Sequence, residues 1–184
     1  LVLMEINMVD PKVIVALDYD EEKKALDFVS KVDPKLCKLK VGNELFTSAG
    51  PAFVSKLVDK GFGVFLDLKY HDIPNTVAKA CTAAAKLGVW LVNVHALGGT
   101  EMMTAAREAL EKFQNRPKLI AVTVLTSTNR IGLQTIGIDE EPRTQVLRLA
   151  KLAKECGLDG VVSSAQEANV IKQYLGSPFF CVTP

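Results

Sequence analysis

No stretch of this chain stays apolar for the ~20 residues that a membrane-crossing helix needs. Its hydrophobic runs are strand-sized, so membrane partners are not expected. Leu1 to Met8 is apolar but lacks a basic flank and a small-residue cleavage site, and it does not read as a signal peptide. Four cysteines, Cys37, Cys81, Cys156 and Cys181, lie far apart and form no Cys-x-x-Cys. That spacing supports neither a metal centre nor a disulfide framework, and reduced thiols in a cytoplasmic protein are expected. No charge of one sign is segregated: the net charge is +1, and lysines sit beside acids in Glu21-Glu22-Lys23-Lys24 and Asp59-Lys60. Such mixing marks solvated helix faces and excludes a nucleic-acid surface. No tract is low-complexity, and no serine or cysteine sits in a nucleophile-elbow pattern.

What is present is an alternation of short apolar runs with longer amphipathic segments. Strands are expected at Val13–Leu17, Leu36–Val41, Gly63–Leu68, Leu91–His95, Leu119–Leu125, Gly160–Val162 and Phe179–Thr183. Helices are expected near 21–31, 49–60, 75–87, 100–113, 142–156 and 165–175, with Gly61, Gly88 and Gly157 at helix C-caps. Several strands are apolar on both faces, which fits a parallel sheet covered by helices. At 184 residues the chain supports one domain.

Strand–helix alternation allows a doubly wound sheet or a barrel. Polar residues decide between them. Asp18, Lys40, Asp67 with Lys69, His95, Thr126 with Ser127, and Thr183-Pro184 stand at the C-terminal ends of successive strands, where barrel enzymes build their sites. A doubly wound sheet gathers such groups at one switch point, often behind a glycine-rich loop, and Asp18-Tyr19-Asp20 is no such loop. The expected fold is therefore an α/β (β/α)8 TIM barrel. About seven of its strands fall in this chain, so residues 1–184 read as one barrel domain lacking its C-terminal part.

The segment Asp67-Leu68-Lys69-Tyr70-His71-Asp72-Ile73-Pro74-Asn75-Thr76 carries the chemistry. Residues two apart on a strand share a face, so Asp67 and Lys69 are expected side by side at a strand end. Asp72 follows, and Pro74 suits the first turn of a helix. An isolated Asp-x-Lys is usually a salt bridge with a helix cap. Here Asp18 and Lys40 join it, and acids alternate with lysines; at about 4 Å each opposite pair attracts by roughly 4 kcal/mol at an effective dielectric of 20, before desolvation. Such a fixed network suits a reaction in which charge moves on the substrate. An aspartate set against a bound carboxylate favours its departure as carbon dioxide, and an ammonium can protonate the carbanion left behind. The acids could instead hold magnesium, but the lysines among them weigh against a metal at the centre.

These residues resemble the signature of the orotidine 5'-phosphate decarboxylases, in their bacterial, cofactor-free form. The similarity continues through Val15-Ala16-Leu17-Asp18, Lys38-Leu39-Lys40-Val41-Gly42, Val92-Asn93-Val94-His95-Ala96, Ala121-Val122-Thr123-Val124-Leu125-Thr126-Ser127, Gly157-Leu158-Asp159-Gly160-Val161-Val162 and Val182-Thr183-Pro184. The resemblance implies a homodimeric barrel that converts orotidine monophosphate to UMP and carbon dioxide, a step of pyrimidine synthesis, without cofactor or metal. By position it makes Lys69 the proton donor to C6, sets Asp67 against the substrate carboxylate, and has Lys40 hold the network. Asp18 is expected on the ribose hydroxyls, Asp72 and Thr76 in the neighbouring subunit's site, and Thr126 or Ser127, with Thr126 preferred, on the pyrimidine. The match to Pro184 opens the phosphate-binding segment, whose glycine and arginines would follow it. A chain ending at Pro184 is expected to bind and turn over poorly.

Two rival functions stand beside this one. Magnesium-dependent enzymes acting on hexulose or ketogulonate phosphates share Asp-x-Lys-x-x-Asp, but the Ile73-Pro74-Asn75-Thr76 continuation favours the decarboxylase. A non-catalytic nucleotide-binding module would not need two lysines and three acids together. His71 is expected to be structural, His95 is open to either use, and Gly98-Gly99 is expected to form a turn. Met102-Met103 and Ala83-Ala84-Ala85 are expected to pack helices.

Overall fold

A computed structural model describes residues 10–184, so the reading of Leu1 to Met8 lies outside the described residues. All the strand pairings described are parallel, and strand order follows chain order, β1 to β7. The order never reverses, as it would at the switch point of a doubly wound sheet. By packing, the chain divides into two compact units, one up to Asp67 with Leu87–Trp90, the other Leu68–Lys86 with Leu91–Pro184.

In the first unit β1 (Ile14–Ala16) pairs with β2 (Lys38–Gly42), which pairs with β3 (Val64–Tyr70) through Leu39↔Val64 to Gly42↔Asp67. Leu39, Val41, Val64 and Leu66 are buried, as are Ala25 and Val29 of α1 (Glu22–Val29) and Phe53, Val54 and Leu57 of α2 (Asn43–Asp59). The sequence placed the second helix near 49–60. Asn43 to Ala49 is helical as well, and Gly50 at φ 71° breaks α2 where Pro51 restarts it. A left-handed glycine followed by a proline suited to a first turn makes two helices out of one run. At the start of β2 the Lys38 ammonium is buried. It donates to Asp10 Oδ1 at 2.5 Å and Pro11 O at 2.7 Å and lies 4.5 Å from the Trp90 ring centroid. A buried ammonium is tolerated only when partnered in this way.

In the second unit β4 (Leu91–His95), β5 (Lys118–Val122), β6 (Gly160–Val162) and β7 (Phe180–Val182) pair in turn. Helix α3 (Pro74–Lys86) packs on α4 (Gly99–Glu111), with Cys81, Ala84, Met102, Met103 and Ala106 buried. Met102, Met103 and Ala84 thus do the expected packing, while Ala83 is exposed. Pro74 opens α3, as its fixed φ favours. Helices α6 (Pro142–Glu155) and α7 (Ala165–Leu175) fall where expected, and Gly61, Gly88 and Gly157 are all left-handed. A six-residue helix, α5 (Arg130–Thr135), was not anticipated; Asn129 caps it by accepting from Gly132 N at 2.9 Å. At the start of β6 Asp159 takes two bonds from Arg116, at 2.7 and 2.9 Å, and one from Leu119 N at 2.8 Å.

Candidate active site

The first unit assembles a three-residue ion chain from three strands. Lys40, within β2, holds its Nζ 3.5 Å from Asp18 Oδ1 and 3.4 Å from Asp67 Oδ2. Asp18 stands two residues past β1, and Leu17 N donates to Lys40 O at 2.9 Å, which fixes that strand end beside β2. The two pairs differ in worth. Asp67 is buried, so its attraction to Lys40 is weakly screened, whereas the Asp18 side chain is 75% exposed and contributes under ~1 kcal/mol. Asp18 is open enough to meet a ligand.

In the second unit β3 runs to Tyr70, two residues beyond expectation, and Lys69 takes φ 52°. No other described non-glycine residue has a positive φ. A side chain in that region costs about 1–3 kcal/mol and persists only where neighbours enforce it. Two-residue alternation does not carry through such a residue, so it cannot supply the direction of Lys69. Asn93, in the middle of β4 and fully buried, accepts on Oδ1 from Lys69 N at 2.9 Å. The sequence reading counted Asn93 in the resemblance but gave it no role. Its signal was one amide in the otherwise apolar run Leu91-Val92-Asn93-Val94, which at a buried position demands a partner.

Asp72 is exposed after β3, with Oδ1 accepting from Ile73 N at 2.6 Å, and Thr76 is exposed in the first turn of α3. The His71 and His95 rings lie 5.5 Å apart at 34°, so both histidines at least pack on each other. Gly98 closes a 3-10 turn, Ala96–Gly98, and a Cβ there would sit 2.1 Å from Met102 Sδ. Burial pushes the Tyr70 phenol and the Cys81 thiol up to about 12, with each other's proximity adding to the effect at Tyr70.

β5 ends at Val122 rather than Leu125, although Thr123 Oγ1 still donates to Val162 O at 2.9 Å. Beyond it Thr126 lines a pocket of about 380 Å³ with Val124, Leu125, Thr128, Ser164 and Glu167. Ser127 is exposed and lies outside that lining. Ser164 and Glu167 form a capping box at the start of α7, a Ser-x-x-Glu spacing legible in the sequence. Pro184 is exposed, two residues past β7. Among the described residues no three His, Cys, Asp or Glu side chains are grouped to hold a metal ion.

A sequence profile described as "Orotidine 5'-phosphate decarboxylase / HUMPS family" matches residues 11–184. The chain belongs to that family. It is similar to proteins named orotidine 5'-phosphate decarboxylase from Pseudoalteromonas atlantica, at 62% identity over 178 residues, and from a Vibrio cholerae serotype O1 strain, at 63% over 178 residues. In both cases the match covers 96% of this chain and 77% of the relative. Among solved structures, the orotidine 5'-phosphate decarboxylase of Lactobacillus acidophilus superposes with a TM-score of 0.88 at 42% identity, covering 95% of this chain and 81% of that one. An uncharacterised conserved protein of Geobacillus kaustophilus gives 0.89 at 46% identity, covering 93% and 82%. Within the family the fold is α/β of the TIM-barrel type, as the unreversed order of parallel strands already indicated.

Proposed function

We propose that this chain converts orotidine 5'-monophosphate to UMP and carbon dioxide, serving pyrimidine synthesis. The observation that carries the reading is the Lys40 ammonium between Asp18 and buried Asp67, at 3.5 and 3.4 Å, in a family whose relatives bear the decarboxylase name. Asp67 stands against the substrate carboxylate and favours its loss, while Lys40, 3.4 Å away, holds the aspartate in place. The bond from C6 to the carboxylate breaks, carbon dioxide leaves, and the electron pair stays on C6. The Lys69 ammonium stabilises that carbanion and transfers its proton to C6, and solvent reprotonates the lysine. The protein charges are set before the substrate arrives, so little reorganisation accompanies the step. The scheme needs no cofactor.

Asp18, the exposed end of the ion chain, takes the ribose hydroxyls. Thr126, which lines the pocket, is favoured over Ser127 for the pyrimidine, and Pro184 borders the phosphate. The active form is a homodimer in which Asp72 and Thr76 reach the neighbouring site. Support comes from the exposed apolar residues on segments that follow strands of the second unit: Ile73, Leu97, Leu125, Ile131 and Ile136. Large apolar side chains left open to solvent gain by burial against a second copy. A cytoplasmic location fits an enzyme of pyrimidine synthesis.

The test is the ultraviolet absorbance change of orotidine monophosphate with EDTA present, on this chain and on one extended past Pro184 to its relatives' length. Turnover in either supports the reading. Lys69→Ala then loses nearly all turnover while keeping part of the UMP binding. Silence of both chains on orotidine monophosphate, with activity on ketose phosphates and magnesium, would overturn it.

A further inference from the structure

We infer that Asn93 is a positioning residue for the reaction: its side-chain carbonyl holds the Lys69 backbone left-handed and so sets the direction of the Lys69 ammonium. The inference rests on the proposed role of Lys69. Lys69 alone among the described non-glycine residues has a positive φ, 52°, and it sits inside a β-strand. A lysine gains nothing locally from that conformation, since its Cβ crowds the following carbonyl. The Lys69 N–H donates to Asn93 Oδ1 at 2.9 Å. A strand residue normally gives its N–H to a neighbouring backbone carbonyl, and here a side chain takes that place. Asn93 is fully buried, one residue before Val94 and two before His95 in β4, so packing locks its own rotamer.

The geometry matters because a proton donor must lie within about 3 Å of the carbon it serves, and a displacement near 1 Å can cost on the order of a hundredfold. Relaxing Lys69 to ordinary strand dihedrals swings its Cα–Cβ bond to another direction. The four-carbon stem then starts from the wrong place. Asn93 touches no reacting atom in this scheme; it acts through Lys69.

The experiment uses the active chain with Asn93→Leu, which keeps the shape without the acceptor, and Asn93→Asp, which keeps an acceptor oxygen. Expected for Asn93→Leu is a roughly hundredfold fall in kcat, with KM and UMP affinity within about threefold and φ at Lys69 negative in its crystal structure. Asn93→Asp recovers at least part of kcat and keeps φ positive. A loss confined to thermal stability, with kcat per UMP-binding site unchanged in Asn93→Leu, would overturn the inference. Hydrogen exchange on the unmodified protein gives a test that no variant's misfolding can spoil: the Lys69 amide is strongly protected, and exchange at the rate of an exposed loop amide would also overturn it. Lys69→Ala run alongside separates the two ideas. If that variant keeps its turnover, the role of Lys69 fails; if it is dead while Asn93→Leu is fully active, only the present inference fails.

Discussion

Removing the Lys40 ammonium should destabilise the protein through Asp67 far more than through Asp18. In Lys40→Ala the Asp67 carboxylate, 11% exposed, loses a cation 3.4 Å away. Coulomb attraction at that distance is about 5 kcal/mol at an effective dielectric of 20. Part of it is offset because the Lys40 side chain, 23% exposed, no longer has to be desolvated. The net loss is then about 2–3 kcal/mol, or roughly 5–10 °C in Tm for a chain of this size. Asp18→Asn, which breaks the pair whose acid is 75% exposed, should change stability by under ~0.5 kcal/mol. The sharper comparison is the double variant Lys40→Ala/Asp67→Asn. Neutralising the stranded carboxylate should return at least half of the lost stability, whereas turnover stays at least a hundredfold down because both charges of the network are gone. Urea unfolding and the absorbance assay read the two quantities on the same samples. If the double variant is no more stable than Lys40→Ala, the destabilisation does not come from the buried carboxylate, and the account of the network is wrong.

Three further outcomes follow from the geometry. Arg116→Ala should cost about 2–3 kcal/mol yet leave kcat unchanged, because it strands Asp159 at the start of β6, the strand end opposite the polar residues. Burial alone would push the Asp159 carboxyl up, but Arg116 and the Leu119 N–H hold it below the ordinary carboxylate range. Its contribution is therefore full above about pH 4 and lost as pH falls through the folded value, so the stability gap between the unmodified protein and Arg116→Ala should narrow as pH falls below about 4. Tyr70 and Cys81 carry the opposite sign: both are raised to about 12 from 10.0 and 9.0, so the stability they contribute is full below pH 9.0 and drains away as pH rises toward 12. Urea unfolding across that range should show it, and Tyr70→Phe should flatten the slope. Gly160→Ala would set a Cβ 2.3 Å from Phe180 O, a backbone atom that cannot swing aside, so loss of the β6–β7 pairing and of 3 kcal/mol or more is expected by hydrogen exchange and thermal unfolding.

The strand–helix alternation was legible because buried parallel strands are short, apolar on both faces and punctuated by glycine caps, and six of the seven α-helices among the described residues follow from that pattern. Helix α5 escaped because Thr126-Ser127-Thr128-Asn129 reads as loop, and only the Asn129 cap betrays a helix of six residues. The full reach of α2 escaped because Gly50-Pro51 reads as a helix start, which it is, without ruling out a helix before it. The ends of β3 and β5 were each misplaced by two or three residues, as strand ends depend on which neighbour is there to bond.

For function, the sequence by itself determined the residue types and their placement at strand ends: Asp18, Lys40, Asp67 and Lys69 follow from where apolar runs stop and charges begin. It also carried the family signature from Asp67 to Thr76. Tertiary structure alone decided that Lys40 serves two acids, one buried and one open, because partners 22 and 27 residues away meet only when three strands align. It alone decided the backbone of Lys69. Local preference puts a lysine in ordinary strand dihedrals, whereas here it takes φ 52° and its N–H meets a buried amide 24 residues further along the chain.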